Sequence, residues 1–327
     1  PIGMLMDKFG ARSLLGVAAI LTAFGCFVFS ITSSYGLAFA SRAFMGVGCS
    51  FGFIGMAYIS SHWFCKSRLP FLLGLGNSVG MLGSVFAQGP LSFLLELVSW
   101  HHAVFAFGVF GFFLGVGILL ILRKGKRVPA NTQEKEIPLV KAIKLVFLNP
   151  WAWLNAIVAL LFYTTTTGFA GLWGIPFLEN VYGLDSNIAA WASSMVFIGW
   201  IAGGPLIGMM ADSLHARKKL QLVTIFLTFL CMALIIYVPN LPVVILFALM
   251  LLVGIFSSAQ LLSFALAVES VPFKAKGTSM AMTNCVVSFG SFAVQPIVGW
   301  VIEWVSGGTK SSTAHYSHYA YKMGMSV

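Results

Sequence analysis

Apolar residues run along this chain in long blocks separated by short polar bursts. Nine blocks reach the roughly 20 residues that an α-helix needs to cross a hydrocarbon core. They cover 13–33, 36–60, 70–95, 102–122, 150–178, 187–211, 220–238, 242–268 and 278–304. None alternates with period two over such a length, which argues against a β-barrel. Helices remain, because each span then satisfies its own backbone hydrogen bonds. A shorter stretch, Leu139–Leu148, is amphipathic and reads as a helix on the membrane surface. Residues 1–6 read as the end of an earlier helix. The expected fold class is an all-α polytopic membrane protein.

Composition agrees with this pattern and removes other classes. Only 9% of the 327 residues are charged and 59% are hydrophobic, against about 25% charged in a soluble domain. This excludes an ordinary globular enzyme, a disordered chain and a disulfide scaffold. The net charge is +10, from 19 Lys+Arg against 9 Asp+Glu. No nucleic-acid partner is implied, because the basic residues lie in bursts between spans. If the loop at 7–12 is placed inside and the spans alternate, all basic residues except Arg42, Lys310 and Lys322 fall inside, 16 of the 19. Positive charge favours the cytoplasmic side, so the long loop 123–149 is expected in the cytoplasm, in a cell (inner) membrane. The five cysteines show no CxxC spacing and read as small buried residues.

The two halves resemble each other. Gly3–Arg12 aligns with Gly208–Arg217, with five identities in ten positions. Asn77, Val79, Gly83, Ser84 and Gln88 align with Asn284, Val286, Gly290, Ser291 and Gln295 at nearly the same offset. Parallel repeats of this kind build two similar helical bundles with a solute path between them.

These residues also carry a family resemblance. Gly3-x-x-x-Asp7-x-x-Gly10-x-Arg12 resembles the loop signature of the major facilitator superfamily between its second and third helices. Gly208-x-x-x-Asp212 followed by Arg217 resembles its second copy, and Arg42-x-x-x-Gly46-x-Gly48 resembles the fourth-helix motif. The resemblance implies two pseudo-symmetric six-helix bundles. Residues 1–122 would form the N-terminal bundle from the end of helix 2 to helix 6, 123–149 a cytoplasmic linker, and 150–327 the C-terminal bundle. The chain would then lack the first helix, most of the second and the twelfth, leaving nine complete spans. Residues 306–327 would be an external loop reaching the start of the twelfth helix. The function implied is a secondary active transporter moving a small polar or anionic organic solute by alternating access. An efflux antiporter for amphipathic compounds and a non-transporting membrane sensor on the same fold are the alternatives. The protein is expected to be no enzyme, since no P-loop or HExxH occurs. It is expected to hold no cofactor, to couple to a proton or sodium gradient, and to work as a monomer in the lipid bilayer.

Candidate residues follow from polarity inside spans. Gly3, Asp7, Gly10, Arg12, Gly208, Asp212 and Arg217 form the expected gating motif, with the two carboxylates placed near helix N-termini. A plain loop turn is the alternative. Arg42 sits well inside a span and needs a partner or a wet cavity. Asn77, Ser84 and Gln88 fall within about 40° of one another on a helix, as do Asn284, Ser291 and Gln295, so both stripes should face inward. They would either join helices or wet a solute path. The run Tyr163-Thr164-Thr165-Thr166-Thr167-Gly168, with Gly171, Gly174 and Pro176 beyond, invites a break in its helix. The candidate solute contacts are Arg42, Asn77, Gln88, Tyr163, Thr167, Trp173, Ser257, Ser258, Gln260 and Asn284. Ordinary helix packing is the alternative for each, and Trp173 also suits an outer aromatic belt. No metal site is expected.

Overall fold

The computed structural model describes residues 6, 9–63, 69–122, 139–214, 216–271, 275–306 and 317–326. Among these residues nine helices are long and apolar enough to cross a membrane. Each matches one of the nine apolar blocks to within about five residues at either end, the uncertainty of any helix boundary read from pattern alone. The chain is a multi-pass membrane protein.

The chain divides into two compact units. One comprises residues 1–79 and 93–132, the other Gly80–Ser92 and residues 133–327. In the first unit, α1 (Ala11–Ile31) packs on both α2 (Tyr35–Trp63) and α4 (Trp100–Ile121). Its buried face is built of small residues, including Gly16, Ala18, Ala23 and Gly25. Lipid tails are as apolar as leucine, so close backbone approach and van der Waals contact hold such helices together. A Cβ on Gly25 would meet Met45 at 2.8 Å. Arg12 donates its Nε–H to the carbonyl of Leu119 at 2.7 Å, tying the start of α1 to the end of α4. A cation at a helix C-terminus also meets the negative end of the helix dipole.

The helix α3 (Leu69–Leu97) contributes residues 80–92 to the second unit. There it is joined by α5 (Leu139–Phe147), α6 (Pro150–Thr164), a π-helical segment (Thr165–Trp173) and α7 (Gly174–Tyr182). The unit continues with α8 (Ser186–Leu214), α9 (Arg217–Tyr237), α10 (Val243–Ser257), α11 (Gln260–Glu269), α12 (Lys276–Val305) and α13 (His318–Met325). The Asn149 side chain caps α6 by accepting the Trp151 N–H at 3.0 Å. Pro150 at the first turn loses nothing there, because its missing N–H would have had no helical partner. The α7 end is a left-handed glycine, Gly183, with φ 66°. The α8 and α10 backbones meet at Gly199 and Gly254, where a Cβ on either would run into the other helix. The core of the unit gathers Trp200, Phe177, Leu178, Val196, Met250 and Ile235, all essentially inaccessible.

Two details differ from the pattern-based expectation. The Thr- and Gly-rich stretch does not break its helix; it winds wider, as a π-helix. The span at 242–268 does break, at Ser258–Ala259 between α10 and α11. Successive three-residue bonds, Ala259 N–H to Phe256 O and Leu261 N–H to Ser258 O, tighten the chain there. At the far end of the stretch read as an external loop, α13 forms where the start of a further helix was expected. It buries Ala320 and Tyr321, and Asn180 donates to the Tyr321 hydroxyl at 3.3 Å.

Candidate functional site

The site begins with local competition for backbone carbonyls. In the run Thr164–Thr167, three hydroxyls bond back along their own helix. Thr164 Oγ1 donates to Leu160 O at 2.9 Å, Thr165 Oγ1 to Phe162 O at 2.8 Å and Thr167 Oγ1 to Tyr163 O at 3.0 Å. Such bonds weaken the α-helical ladder and bend it. Gly168, Gly171 and Gly174 remove side chains that would otherwise pack the turns. Pro176 removes the N–H that an α-helix would direct at Leu172. The segment Thr165–Trp173 relaxes into a π-helix, a form frequent at functional sites.

Carbonyls along this segment are met by side chains from neighbouring helices. Gln88 on α3 donates Nε2–H to Ala170 O at 3.1 Å, and the Ser193 hydroxyl on α8 donates to the same oxygen at 2.8 Å. Gln295 on α12 donates to Thr167 O at 3.0 Å. In return the Trp173 indole donates to Gln295 O at 3.0 Å. The Trp200 indole, fully buried, donates to Thr166 Oγ1 at 2.8 Å. The repeated glutamines thus grip the same π-helical segment three residues apart.

Beside this segment, wholly within the second unit, lies a cavity of about 270 Å³. It is lined by Met81, Ser84, Ala87 and Gln88 of α3, Tyr163 of α6, Thr166, Thr167 and Gly171 of the π segment, Phe197 of α8 and Gln295 of α12. Of the predicted contacts, the structure brings Gln88, Tyr163 and Thr167 together here, with Ser84 and Gln295 from the two polar stripes. Asn77 and Asn284 lie eleven residues, about 16 Å of helix, from their glutamines. They share the face but sit at another depth and do not line the cavity. Trp173 packs beside Gly299, where a Cβ would lie 3.0 Å from the indole, and lies outside the lining. Ser257 and Ser258 are buried at the end of α10 and donate to Gly254 O and Ile255 O. Gln260 is buried at the start of α11. None of these three lines the cavity.

Arg42 belongs to the first unit, where its guanidinium lies 4.5 Å from the Phe29 ring centroid. Phe29 in turn meets the Trp100 ring at 5.6 Å. A cation over an aromatic face gains electrostatically, more so when desolvated. Of the gating motif, Gly3, Asp7 and the Asp212 side chain lie outside the described residues. Gly10 precedes α1 with φ 81°, a conformation that favours glycine. Gly208 lies within α8 and meets no other helix where its Cβ would be. Arg217 forms an ion pair with Glu269, linking the start of α9 to the end of α11. Lys218 lies 5.9 Å from the Trp151 ring centroid.

Pattern reading did not single out Met81, Phe197, Ser193 or Trp200. Trp200 carried a usable signal, because it stands in the middle of its span whereas interfacial tryptophans stand at the ends. Ser193 and the apolar pair had none.

The arrangement defines a class: a polytopic α-helical membrane protein with a small, open cavity of mixed polar and apolar lining among the helices of its second unit. The chain belongs to the Major Facilitator Superfamily, whose model matches residues 1–295. Among curated relatives, the agnestins efflux protein of Paecilomyces divaricatus is 28% identical over 68% of this chain and 50% of its own length. A probable galactarate/D-glucarate transporter of Bacillus subtilis is 20% identical over 92% of this chain and 73% of its own. The chain therefore spans half the length of the first relative and about three quarters of the second. A bacterial homologue of the human lysosomal transporter Spinster, in an inward-facing and unoccupied conformation, has the same fold. Its TM-score is 0.72 at 15% identity, covering 94% of this chain and 72% of that one.

Proposed function

We propose that the protein is a secondary active transporter that carries a small polar or anionic organic solute across the inner membrane by alternating access. The cavity flanked by Gln88, Tyr163, Thr167 and Gln295 would be a station of the solute. One observation carries the reading: a cavity lined in part by polar side chains lies among the helices of the second unit, against a helix wound into a π form and gripped by both repeat-related glutamines. Polar groups inside membrane segments are costly and mark solute paths. On this reading the long loop 123–149 faces the cytoplasm, the protein works as a monomer without cofactor, and a proton or sodium gradient drives it. Asp7 and Asp212 act as latches at the inner face, made in one conformation and broken in the other. Arg42 serves the solute path of its own bundle.

Reconstitution of the full-length protein in proteoliposomes tests this. Saturable solute flux should appear and should respond to an imposed pH or sodium gradient. Arg42→Ala should abolish it, and Asp7→Asn should slow turnover with little change in solute affinity. Binding without flux would assign the sensor reading instead. Efflux of amphipathic compounds is the second reading, favoured by Met81 and Phe197 on the cavity wall and by similarity to a relative named as an efflux protein.

A further inference from the structure

We infer that the solute group seated in this cavity is uncharged and bears several hydroxyls, as in a sugar or polyol, and is not a carboxylate or phosphate. The inference rests on the transporter reading and narrows it. Three observations lead to it. First, none of the ten residues lining the cavity is Asp, Glu, Lys, Arg or His. An anion seated in it would meet no opposite charge among these ten residues, which makes the loss of its water costly.

Second, the orientation of both glutamine amides is set by their partners. A backbone carbonyl only accepts, so the groups facing Ala170 O and Thr167 O must be the NH2 ends. Each amide therefore keeps its Oε1 and a single N–H for other partners. Thr167 has spent its hydrogen on Tyr163 O and offers lone pairs only. Thr166 is buried and its oxygen is held by the Trp200 indole, so it belongs to the framework of the site. The hydroxyls of Ser84 and Tyr163 make no bond to a described residue and can do both. The lining thus offers both donors and acceptors. A hydroxyl group both gives and takes a hydrogen bond, so a polyol can match this set. A carboxylate only accepts, and would leave Oε1 of both glutamines and Thr167 facing its oxygens.

Third, the volume suits such a solute. At about 30 Å³ per water the cavity holds about nine waters, which a solute on the order of ten non-hydrogen atoms would replace. Met81 and Phe197 add apolar lining that the C–H groups of a ring can meet.

The test uses the full-length protein in detergent and in proteoliposomes, with matched probes: hexoses and hexitols, and the corresponding uronates and aldonates. Calorimetry should show saturable binding of at least one neutral probe, with its carboxylate counterpart about tenfold or more weaker. Tyr163→Phe and Ser84→Ala should each weaken the neutral probe about five- to tenfold without lowering the thermal unfolding midpoint. Carboxylates that bind as well or better overturn the inference and leave the transporter reading in place. Neutral probes that bind with no flux under any gradient keep the inference and overturn the transporter reading. Binding of neither class, or Tyr163→Phe and Ser84→Ala both without effect on affinity, overturns the inference.

Discussion

Thr166 shows how one hydroxyl can be structural in a site that looks made for solute. Its oxygen takes the indole proton of Trp200, and both groups are about 1% exposed. Thr166→Val keeps the shape and removes the acceptor, so the Trp200 N–H would be left buried and unsatisfied. That should cost about 1–3 kcal/mol, read as a lower thermal unfolding midpoint in detergent; Trp200→Phe in the same background should recover part of the loss. Thr167 was legible as a candidate because it is polar within a span. Its neighbour was equally polar, and only the position of Trp200 on another helix separates their roles. Arg42 poses the same problem. A charge inside a span demanded a partner, and the partner turned out to be an aromatic ring, which has no charge for a pattern search to find.

Among the elements, the nine spans were readable because hydrocarbon thickness imposes a length and an apolar composition on each of them. Departures from regular winding were less so. The Thr–Gly–Pro stretch signalled weakness, but whether a weak helix breaks or widens depends on what satisfies its carbonyls. Here Gln88, Ser193 and Gln295 do so from three other helices, and the π form persists. The break after α10 had no comparable signal, since Ser257 and Ser258 are common inside membrane helices. The glycines inside spans also differ in what they meet. Gly199 meets Gly254 across the α8–α10 contact, whereas Gly52, Gly80 and Gly208 have no neighbouring helix where a Cβ would point. Gly254→Leu should overpack that contact and cost about 1–3 kcal/mol, while Gly208→Leu should change the unfolding midpoint little. Parallel thermal melts of the two variants check the contrast.

For the whole molecule, the distribution of basic residues predicts sidedness. Single cysteines introduced at Lys126 and Ser34, in a background with the five native cysteines replaced, should react with a membrane-impermeant maleimide from opposite faces. Lys126→Cys should be labelled only in inverted vesicles, and Ser34→Cys only in right-side-out ones. Equal labelling of both from one side would reverse or dissolve the assigned topology. The internal repeat operates at this scale as well: Gln88 and Gln295, far apart in sequence, end on carbonyls of one short segment.

Hydropathy, loop charge and the repeat by themselves determined that nine helices among the described residues are long and apolar enough to cross a membrane, which family the chain belongs to, and which face of two spans is polar. Those properties are written locally, because the bilayer acts on every segment separately. The depth at which polar residues meet, the partner of each hydroxyl and the winding of the π segment were decided only by tertiary structure. They depend on which carbonyl from which helix comes within about 3 Å of a donor, and no single segment encodes that distance.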